Sequence, residues 1–380
     1  MSKGMKELFP GYFREEHGEL SDIWKQAVFV FDANILLNIY RYSNKSSEGF
    51  LRILKQIQDR VWISHQAVEE YFQNRLAVIK SQEAAYDDTM KNIDALESKL
   101  DNNRQHPFLN KSSLDELQAT FSKIKQELSE SKKYHSDRIL NDPIKDTLAS
   151  IFEGKIGAPY TEKEYETVFK DGETRYRRFI PPGYKDSNKA KEADSFNDQK
   201  RKFGDLVVWL QTLAHANDSA KDVIFITDDK KEDWWEIFNG KTIGPRPELV
   251  KEFKDFTSKR FYMYRADTFL NNANEFLNSN IDAETLAEVK QVHLDKSVFT
   301  ALQKYKPLHD LVFYLNMQKL SVGSKLPSER ELSEVVGYNR TVIRELLVRL
   351  ESYEYVDINH GKSTLLIKEL PSLNTLEKDD

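Results

Sequence analysis

Cysteine is absent from the 380 residues of this chain, and its absence removes several kinds of chemistry. Disulfides, thiolate zinc sites and cysteine nucleophiles are excluded. A membrane-spanning helix needs about 20 consecutive apolar residues, whereas the longest apolar runs, such as 27–31 and 206–210, are far shorter. The N-terminal segment also lacks the apolar stretch of a secretory signal. We therefore expect a soluble, cytoplasmic protein that does not associate with membranes.

The chain also lacks a strong excess of either charge, because 56 Lys and Arg residues face 62 Asp and Glu residues. The field of the whole protein does not attract phosphate, so contact with nucleic acid requires a local basic patch. Aromatic residues make up 12% of the chain, which excludes a mostly disordered protein. The length suits two or three domains.

Short apolar runs alternate with segments of helical character over the first three quarters of the chain. The runs at 28–31, 60–63, 223–226 and 261–264 predict buried strands. Strands that alternate with helices are typical of an α/β domain with a parallel sheet.

Residues 76–140 interrupt this alternation. Apolar residues recur there at steps of three and four on both sides of a turn-rich break at 101–107. This pattern predicts two long helices that pack antiparallel as a coiled-coil hairpin. The hairpin is either a structural arm or a substrate clamp or dimer contact. Residues 154–188 are interpreted as rich in loops and include a basic and aromatic run at 174–179.

Acidic residues lie at the ends of two predicted strands and near the starts of two predicted helices. Asp32 and Asp229 follow strands, whereas Glu69, Glu70 and Asp205 lie near helix starts. Ligands bind beyond the carboxyl ends of parallel strands, and carboxylates that converge there require cations. Mg²⁺ or Mn²⁺ suits an all-oxygen site and can activate water for displacement at phosphorus. Alternatively, Asp32 and Asp229 only cap helices.

Several blocks, in order, resemble PIN-like nuclease domains over about residues 9–277: FVFDANILLNIYRYS, WISHQAVEEYFQNR, IPPGYKDSNK, FGDLVVWLQTL and VIFITDDKKEDWW. The resemblance implies metal-dependent hydrolysis of phosphodiester bonds, usually of RNA. It places the four acids of the family, as catalytic residues and metal ligands, on Asp32, Glu70, Asp205 and Asp229.

Three further polar residues belong to the same implied site. Glu69 and Asp228 are alternative ligands for the second and fourth acids. Asn34 matches the second polar residue of the opening motif, where it orients Asp32 or a water held by the metal. The long insertion between the second and third acids departs from small toxin-type PIN domains, and it leaves the substrate open.

Basic residues near these blocks are candidates for contact with a nucleic-acid substrate: Lys185, Arg175, Arg177, Arg178 and Lys230. The arginines alternate with Tyr176 and Phe179, a pattern that suits a track for single-stranded nucleic acid. The alternatives are ordinary turn chemistry for Lys185 and a solvated loop for the arginines. Lys230 and the adjacent Lys231 either neutralise phosphates or are solvated.

The C-terminal part predicts a winged helix-turn-helix, because helices are followed by an alternating hairpin at 355–367. The block GSKLPSERELSEVVGYNRTVIRELLVRLESYEYVDINHGKST resembles the DNA-binding domain of the GntR family of transcription regulators, most closely its fatty-acid-responsive branch, over about residues 305–368. The resemblance implies DNA contacts at Arg330, Arg340, Thr341 and Arg344, and a wing tip at His360 and Gly361. The alternative use of this module is protein contact or dimerisation.

Together these patterns predict an α/β fold with a PIN-like parallel sheet, an inserted helical hairpin and a C-terminal winged helix. The expected parts are a nuclease domain (1–277) with its arm (76–140), a helical connector (278–304) and the winged helix (305–370).

We expect a metal-dependent endonuclease, by resemblance an endoribonuclease, with RNA or DNA as partner. A homo-oligomer that forms through the arm or the winged helix is an option. Toxin-like or phage-defence roles suit such an enzyme. The alternative is a DNA-binding transcription regulator with a non-catalytic PIN-like domain.

Overall fold

The computed structural model describes residues 4–13, 17–100, 109–187, 195–238, 241–358 and 363–371. These residues divide into two compact units. One unit comprises Met1–Val30 and Pro159–Asp380, and the other comprises Phe31–Ala158. Within the described residues, no helix is both long and apolar enough to cross a lipid bilayer.

The strands confirm the predicted α/β alternation. They are β1 (Val28–Phe31), β2 (Val61–Trp62), β3 (Val223–Ile226), β4 (Trp235–Phe238), β5 (Lys241–Pro245), β6 (Phe261–Tyr264), β7 (Val356–Asp357) and β8 (Leu365–Leu366). A parallel sheet of four strands has the order β2-β1-β3-β6, with Val223 opposite Phe261 in the β3–β6 pair. Strand β3 is buried along its whole length, as expected for a strand inside a parallel sheet.

Most of the remaining described residues are helical. The helices are α1 (Met5–Leu8), α2 (His17–Gln26), α3 (Ala33–Asn38), α4 (Asn44–Gln56), α5 (His65–Leu100), α6 (Lys111–Asp137), α7 (Pro143–Ile151), α8 (Glu162–Arg177), α9 (Phe196–Lys202), α10 (Gly204–Ser219), α11 (Pro247–Thr257), α12 (Ala266–Leu277), α13 (Ala283–Lys304), α14 (Lys306–Met317), α15 (Glu329–Val336) and α16 (Arg340–Ser352).

Helices α5 and α6 form the predicted antiparallel hairpin. Lys125 Nζ lies 3.0 Å from Asp94 Oδ1 and 2.8 Å from Glu97 Oε2, while Lys132 Nζ lies 2.6 Å from Asp87 Oδ1. Contacts that advance along α6 while they retreat along α5 require opposite helix directions. Helix α5 begins at His65, so the arm continues the helix that carries Glu70. The predicted break at 101–107 lies outside the described residues.

The prediction of a loop-rich segment is wrong over α8. Thr161 and Glu164 form a capping box at its start, which supplies partners for otherwise unpaired backbone N–H groups. The buried residues recur at helical spacing: Tyr165, Val168, Phe169, Gly172 and Tyr176. The many charged residues between them made the segment resemble a solvated loop and obscured the helical spacing.

The winged helix has a hydrophobic core of its own, built from α13 to α16 and the strands β7 and β8. Helix α15 is capped at its C-terminal end by Gly337, whose φ of +81° is accessible to glycine without strain. Asn339 then caps α16, because its side chain accepts a hydrogen bond from Val342 N. Strands β7 and β8 pair antiparallel, and the wing tip between them, with His360 and Gly361, lies outside the described residues.

Candidate active site

Lys231, in the loop after β3, is surrounded by three carboxylates of the same unit. Its Nζ lies 2.6 Å from Asp205 Oδ2, 2.9 Å from Asp186 Oδ2 and 2.9 Å from Asp229 Oδ2. We call these four residues the Lys231 cluster. Burial alone would lower the pKa of Lys231, but the carboxylates, Asp205 first, outweigh it and raise the pKa above the ordinary lysine value. The ammonium is therefore charged and offsets the repulsion among the acids.

Two of the sequence-predicted acids belong to this cluster, and local structure explains their placement. Asp229 N donates to Thr227 Oγ1 at 3.0 Å, and Lys231 N donates to Asp229 Oδ1 at 2.9 Å. These bonds turn the chain sharply at the end of β3, so that Asp229 and Lys231 meet. Asp205 stands in the first turn of α10, where its Oδ2 also accepts from Trp234 Nε1 at 3.3 Å.

The third acid, Asp186, was not among the predicted site residues. It ends a short 3-10 turn that begins after Gly183, where φ is +94° and a Cβ would lie 2.2 Å from the Tyr176 hydroxyl oxygen. The turn is held by Asp233 Oδ2, which accepts from Gly183 N at 3.0 Å and Lys185 N at 2.9 Å. Asp233 is fully buried, and burial raises its pKa to about 6. The PPGYKD motif was the available signal, because its turn residues present Asp186 to the cluster.

The Lys231 cluster has the donor chemistry of a divalent cation site but not its arrangement. Three carboxylate oxygens converge on one position, and hard oxygen donors are what Mg²⁺ and Mn²⁺ prefer. That position is held by the Lys231 ammonium. Across the described part of the chain, no group of three or more Asp, Glu or His side chains is arranged to hold a metal ion. Ammonium and metal are therefore alternatives at this position, and the acids fit a metal only if Lys231 moves away.

Asp32 and Glu70 lie in the other unit. Asp32 caps α3, because its Oδ1 accepts from Ala33 N at 2.7 Å, and its Oδ2 accepts from Asn34 Nδ2 at 2.5 Å. The helix-cap interpretation is thus true of Asp32, and Asn34 contacts the carboxylate as the family motif implies. Glu70 Oε1 accepts from Gln66 Nε2 at 2.8 Å, one turn back on α5.

The two alternative ligands, Asp228 and Glu69, have contacts of their own. Asp228 Oδ1 accepts from Ala266 N at 3.0 Å, at the start of α12, so Asp229 rather than Asp228 belongs to the Lys231 cluster. Glu69 Oε2 lies 3.5 Å from His65 Nδ1. The metal-binding role of any of these acids remains a prediction.

Three of the basic candidates have side-chain partners within the protein. Arg175 forms a bidentate ion pair with Glu252, with N–O distances of 2.6 and 2.8 Å, and so joins α8 to α11. Lys185 Nζ lies 2.5 Å from Glu232 Oε1. Lys230 Nζ lies 5.7 Å from the ring centroid of Tyr353, and burial lowers its pKa to about 7. The Lys230 ammonium therefore lies beside the residue that ends α16.

Arg177 and Arg178 are exposed at the C-terminal end of α8. Arg177 Nε donates to the backbone oxygen of Glu173 at 3.2 Å. Because this run is helical, Arg175 and Arg177 do not follow one another along an extended track. Tyr176 is buried, which removes it as a stacking surface for bases.

The arginines expected at DNA pair with acids of the winged helix itself. Arg344 donates two hydrogen bonds to the carboxylate of Glu329 at 2.9 and 2.8 Å, and Arg340 lies 3.9 Å from the same group. Arg330 Nε donates to Glu334 at 3.0 Å. Arg340 and Arg344 remain about two thirds exposed. Exposed ion pairs contribute little stability, so a phosphate could replace Glu329 at small cost. Thr341 is exposed in the first turn of α16.

Comparison with known families agrees with this architecture. The model of the PIN like domain matches residues 28–249, which is more than half of the chain. This chain belongs to the PIN-like domain family. Its C-terminal part, residues 309–366, matches the gntR family of bacterial regulatory proteins. Both resemblances drawn from the sequence are thereby confirmed.

Curated relatives of this PIN-like protein include regulator proteins from several Shewanella species. The fatty acid metabolism regulator proteins of Shewanella baltica, Shewanella putrefaciens and Shewanella pealeana are each 48% identical over 61 residues. That match covers 16% of this chain and 26% of each relative. The chain thus spans about a quarter of the length of these curated relatives. No solved structure matches it significantly.

Proposed function

We propose that this PIN-like protein is a metal-dependent endonuclease that hydrolyses phosphodiester bonds of RNA, and that its winged helix binds duplex DNA. The observation that carries the proposal is the convergence of Asp186, Asp205 and Asp229 on one cation position. Carboxylates this close repel one another, so their convergence favours a bound cation. The PIN-like family supports the reaction class, and its motif adds Asp32 and Glu70 to the acid set.

Bound Mg²⁺ or Mn²⁺ would stabilise negative charge on the phosphoryl oxygens and lower the pKa of a water. The chain's own residues have separate tasks. Asp205 and Asp229 would hold the cation, together with Asp186, which the family pattern does not include. Lys231 holds these carboxylates close together when no metal is bound, so the site does not have to be assembled for each binding event.

The winged helix contributes a second nucleic-acid contact in this proposal. Asn339 starts α16 so that Arg340, Thr341 and Arg344 lie on its first turns, which is the end that enters the major groove in helix-turn-helix proteins. The match to the gntR family supports DNA as the ligand. The names of the Shewanella relatives describe them as regulators of fatty acid metabolism, and the proposal does not extend that role to this chain.

A second candidate function is a DNA-binding regulator whose PIN-like domain is not catalytic. The observation that favours it is again Lys231, because its ammonium already satisfies the three carboxylates without a metal. The two candidates differ in one property: an enzyme must exchange Lys231 for a divalent cation, whereas a non-catalytic scaffold keeps it.

A cleavage assay separates the candidates. The purified chain is incubated with end-labelled RNA, single-stranded DNA and duplex DNA in Mg²⁺, Mn²⁺ or EDTA, and the Asp229→Asn variant, purified in parallel, controls for contaminating nucleases. We expect cleavage of RNA only with metal, leaving 5′-phosphate and 3′-hydroxyl ends. Ends with 2′,3′-cyclic phosphate would show attack by the ribose 2′-hydroxyl and contradict hydrolysis by a metal-activated water. Duplex binding without cleavage of any substrate would favour the regulator.

A further inference from the structure

A cavity of about 320 Å³ lies in the unit Phe31–Ala158, between α4, the end of α6 and the start of α7. It is large enough for a small organic ligand. Its polar walls come from residues that no part of the proposed reaction uses: Asn44, Glu48, Arg52, Lys55, Tyr134 and Arg138. We call it the α4–α7 cavity.

Arg138 is the unusual member of this wall. It is 3% exposed, and its guanidinium donates to Asn44 Oδ1 at 3.0 Å and contacts His135 Nδ1 at 3.1 Å. Its Nε has no hydrogen-bond partner, and the structure records no ion pair between Arg138 and any described carboxylate. Burial and the neighbouring Arg138 charge lower the pKa of His135, so both acceptors are neutral.

A buried guanidinium without a counter-ion is costly, because neutral acceptors do not repay the loss of hydration. The buried carboxylate of Asp142, four residues further on, does not serve Arg138. It accepts from Tyr40 Oη at 2.7 Å and forms an ion pair with Arg75. The guanidinium of Arg138 can therefore pair with an anion that enters the cavity.

The other charged residues that line the cavity are mostly positive as well. Arg52 and Lys55 are exposed side chains one turn apart on α4, and neither forms an ion pair with a described acid. Glu48 is the single acid that lines the cavity, against three cations. Tyr134 is 46% exposed and has the Arg138 guanidinium 4.8 Å from its ring centroid, so it adds an aromatic surface beside the charges.

We propose that the α4–α7 cavity binds a small phosphorylated molecule of mononucleotide size, whose phosphate is held by Arg52, Lys55 and Arg138. Arginine and lysine donors suit phosphate oxygens, and the planar guanidinium binds two of them at once. The cavity volume and the ring of Tyr134 accommodate the remainder of such a ligand. This inference does not depend on the proposed nuclease activity, because none of the acids assigned to that activity lines the cavity.

Titration calorimetry of the full chain in EDTA tests the proposal, with adenosine 5′-monophosphate, adenosine and inorganic phosphate as probes. EDTA removes divalent metal, so a failure of the nuclease proposal does not affect the result. We expect saturable binding of the monophosphate and competition by inorganic phosphate. Adenosine, which lacks the phosphate, should bind more weakly by about tenfold or more, and each tenfold corresponds to about 1.4 kcal/mol.

Variants locate the binding. Arg52→Gln/Lys55→Gln changes exposed side chains only and should weaken monophosphate binding by about tenfold or more. The control Lys91→Gln/Lys123→Gln removes two exposed charges from the arm and should bind like wild type. Arg138→Lys, checked for folding by thermal unfolding, should also lose affinity. Absence of binding by both phosphate probes at millimolar concentrations, equal binding of adenosine and its monophosphate, or full binding by Arg52→Gln/Lys55→Gln would each overturn the proposal.

Discussion

Three carboxylates surround the single ammonium of Lys231 in one unit, whereas in the other unit a buried Arg138 has only neutral acceptors beside it. The first site already contains a cation that belongs to the chain, so a metal can take that position only by displacing Lys231. The second site keeps an unpaired charge and is ready for an anion without rearrangement. A cluster of charges therefore indicates a ligand most directly where its internal counter-ion is missing.

The largest expected effect comes from removing the carboxylates. Asp205→Asn, Asp229→Asn, Asp32→Asn and Glu70→Gln should each lower the rate of RNA cleavage by roughly 10²–10³ or more, the scale of losing one group that stabilises transition-state charge. Single-turnover rates in Mn²⁺ measure this. Asp255→Asn, an exposed acid paired with Lys251, is the matched control and should cut normally. Wild-type rates in two or more of the four site variants would show that the site is assigned to the wrong acids.

Removal of the internal counter-ion is the next test. Lys231→Met should lose roughly 3–5 kcal/mol of unfolding free energy in EDTA, because three partly buried carboxylates are left uncompensated. Mn²⁺ should restore much of this loss if it binds where the ammonium was. Urea unfolding with and without Mn²⁺ measures both effects, and Lys251→Met, at an exposed ion pair, is the control. A variant as stable as wild type in EDTA would mean that the acids do not need a cation.

Asp233, which holds the turn that carries Asp186, makes the free energy of unfolding depend on pH. Its pKa is raised from 3.8 to about 6 by burial, so the folded protein holds this proton more tightly than the unfolded chain. Its contribution is therefore fully present below pH 4 and is lost as the pH rises through 6, and the difference corresponds to roughly 3 kcal/mol. Asp233→Asn should remove this loss, because its amide oxygen can still accept from Gly183 N and Lys185 N. Urea unfolding at pH 4 and pH 7 should show that the stability of the variant relative to wild type is greater at pH 7 than at pH 4. The same difference in stability at both pH values would contradict the raised pKa of Asp233.

The smallest effect concerns the winged helix. Arg340→Ala/Arg344→Ala should cost roughly 1–3 kcal/mol of duplex DNA affinity, with the phosphate share falling at high salt. Glu329→Gln should strengthen binding modestly, since it releases both arginines, and cleavage of a short RNA should be unaffected. Gel shifts measure affinity. Wild type that ignores duplex DNA, together with a smaller assembly by light scattering after removal of residues 301–380, would instead support a protein-contact role.

The four strands of the parallel sheet, the helices of the arm and the winged helix could be predicted from the sequence because each depends on local periodicity, whereas strands β4 and β5 were not predicted. Asp205 and Asp229 were identified because family motifs mark them. Asp186 and the central position of Lys231 were missed, since both depend on a turn that folds back onto β3 and α10 through Asp233. Helix α8 was missed because its apolar residues are separated by many charges. The ion pair between Arg344 and Glu329 could not be predicted from the sequence either, because it depends on how α15 and α16 pack.

The most direct test of the central claim is a measurement of Mn²⁺ binding by calorimetry, with wild type compared against the Asp205→Asn/Asp229→Asn variant. The account predicts saturable binding to wild type, tighter binding to Lys231→Met, where no ammonium competes, and loss of this binding in the double aspartate variant. Wild type and the aspartate variant that bind Mn²⁺ equally, or a Lys231→Met variant that binds it no better than wild type, would contradict the claim that a divalent cation replaces Lys231 among these acids.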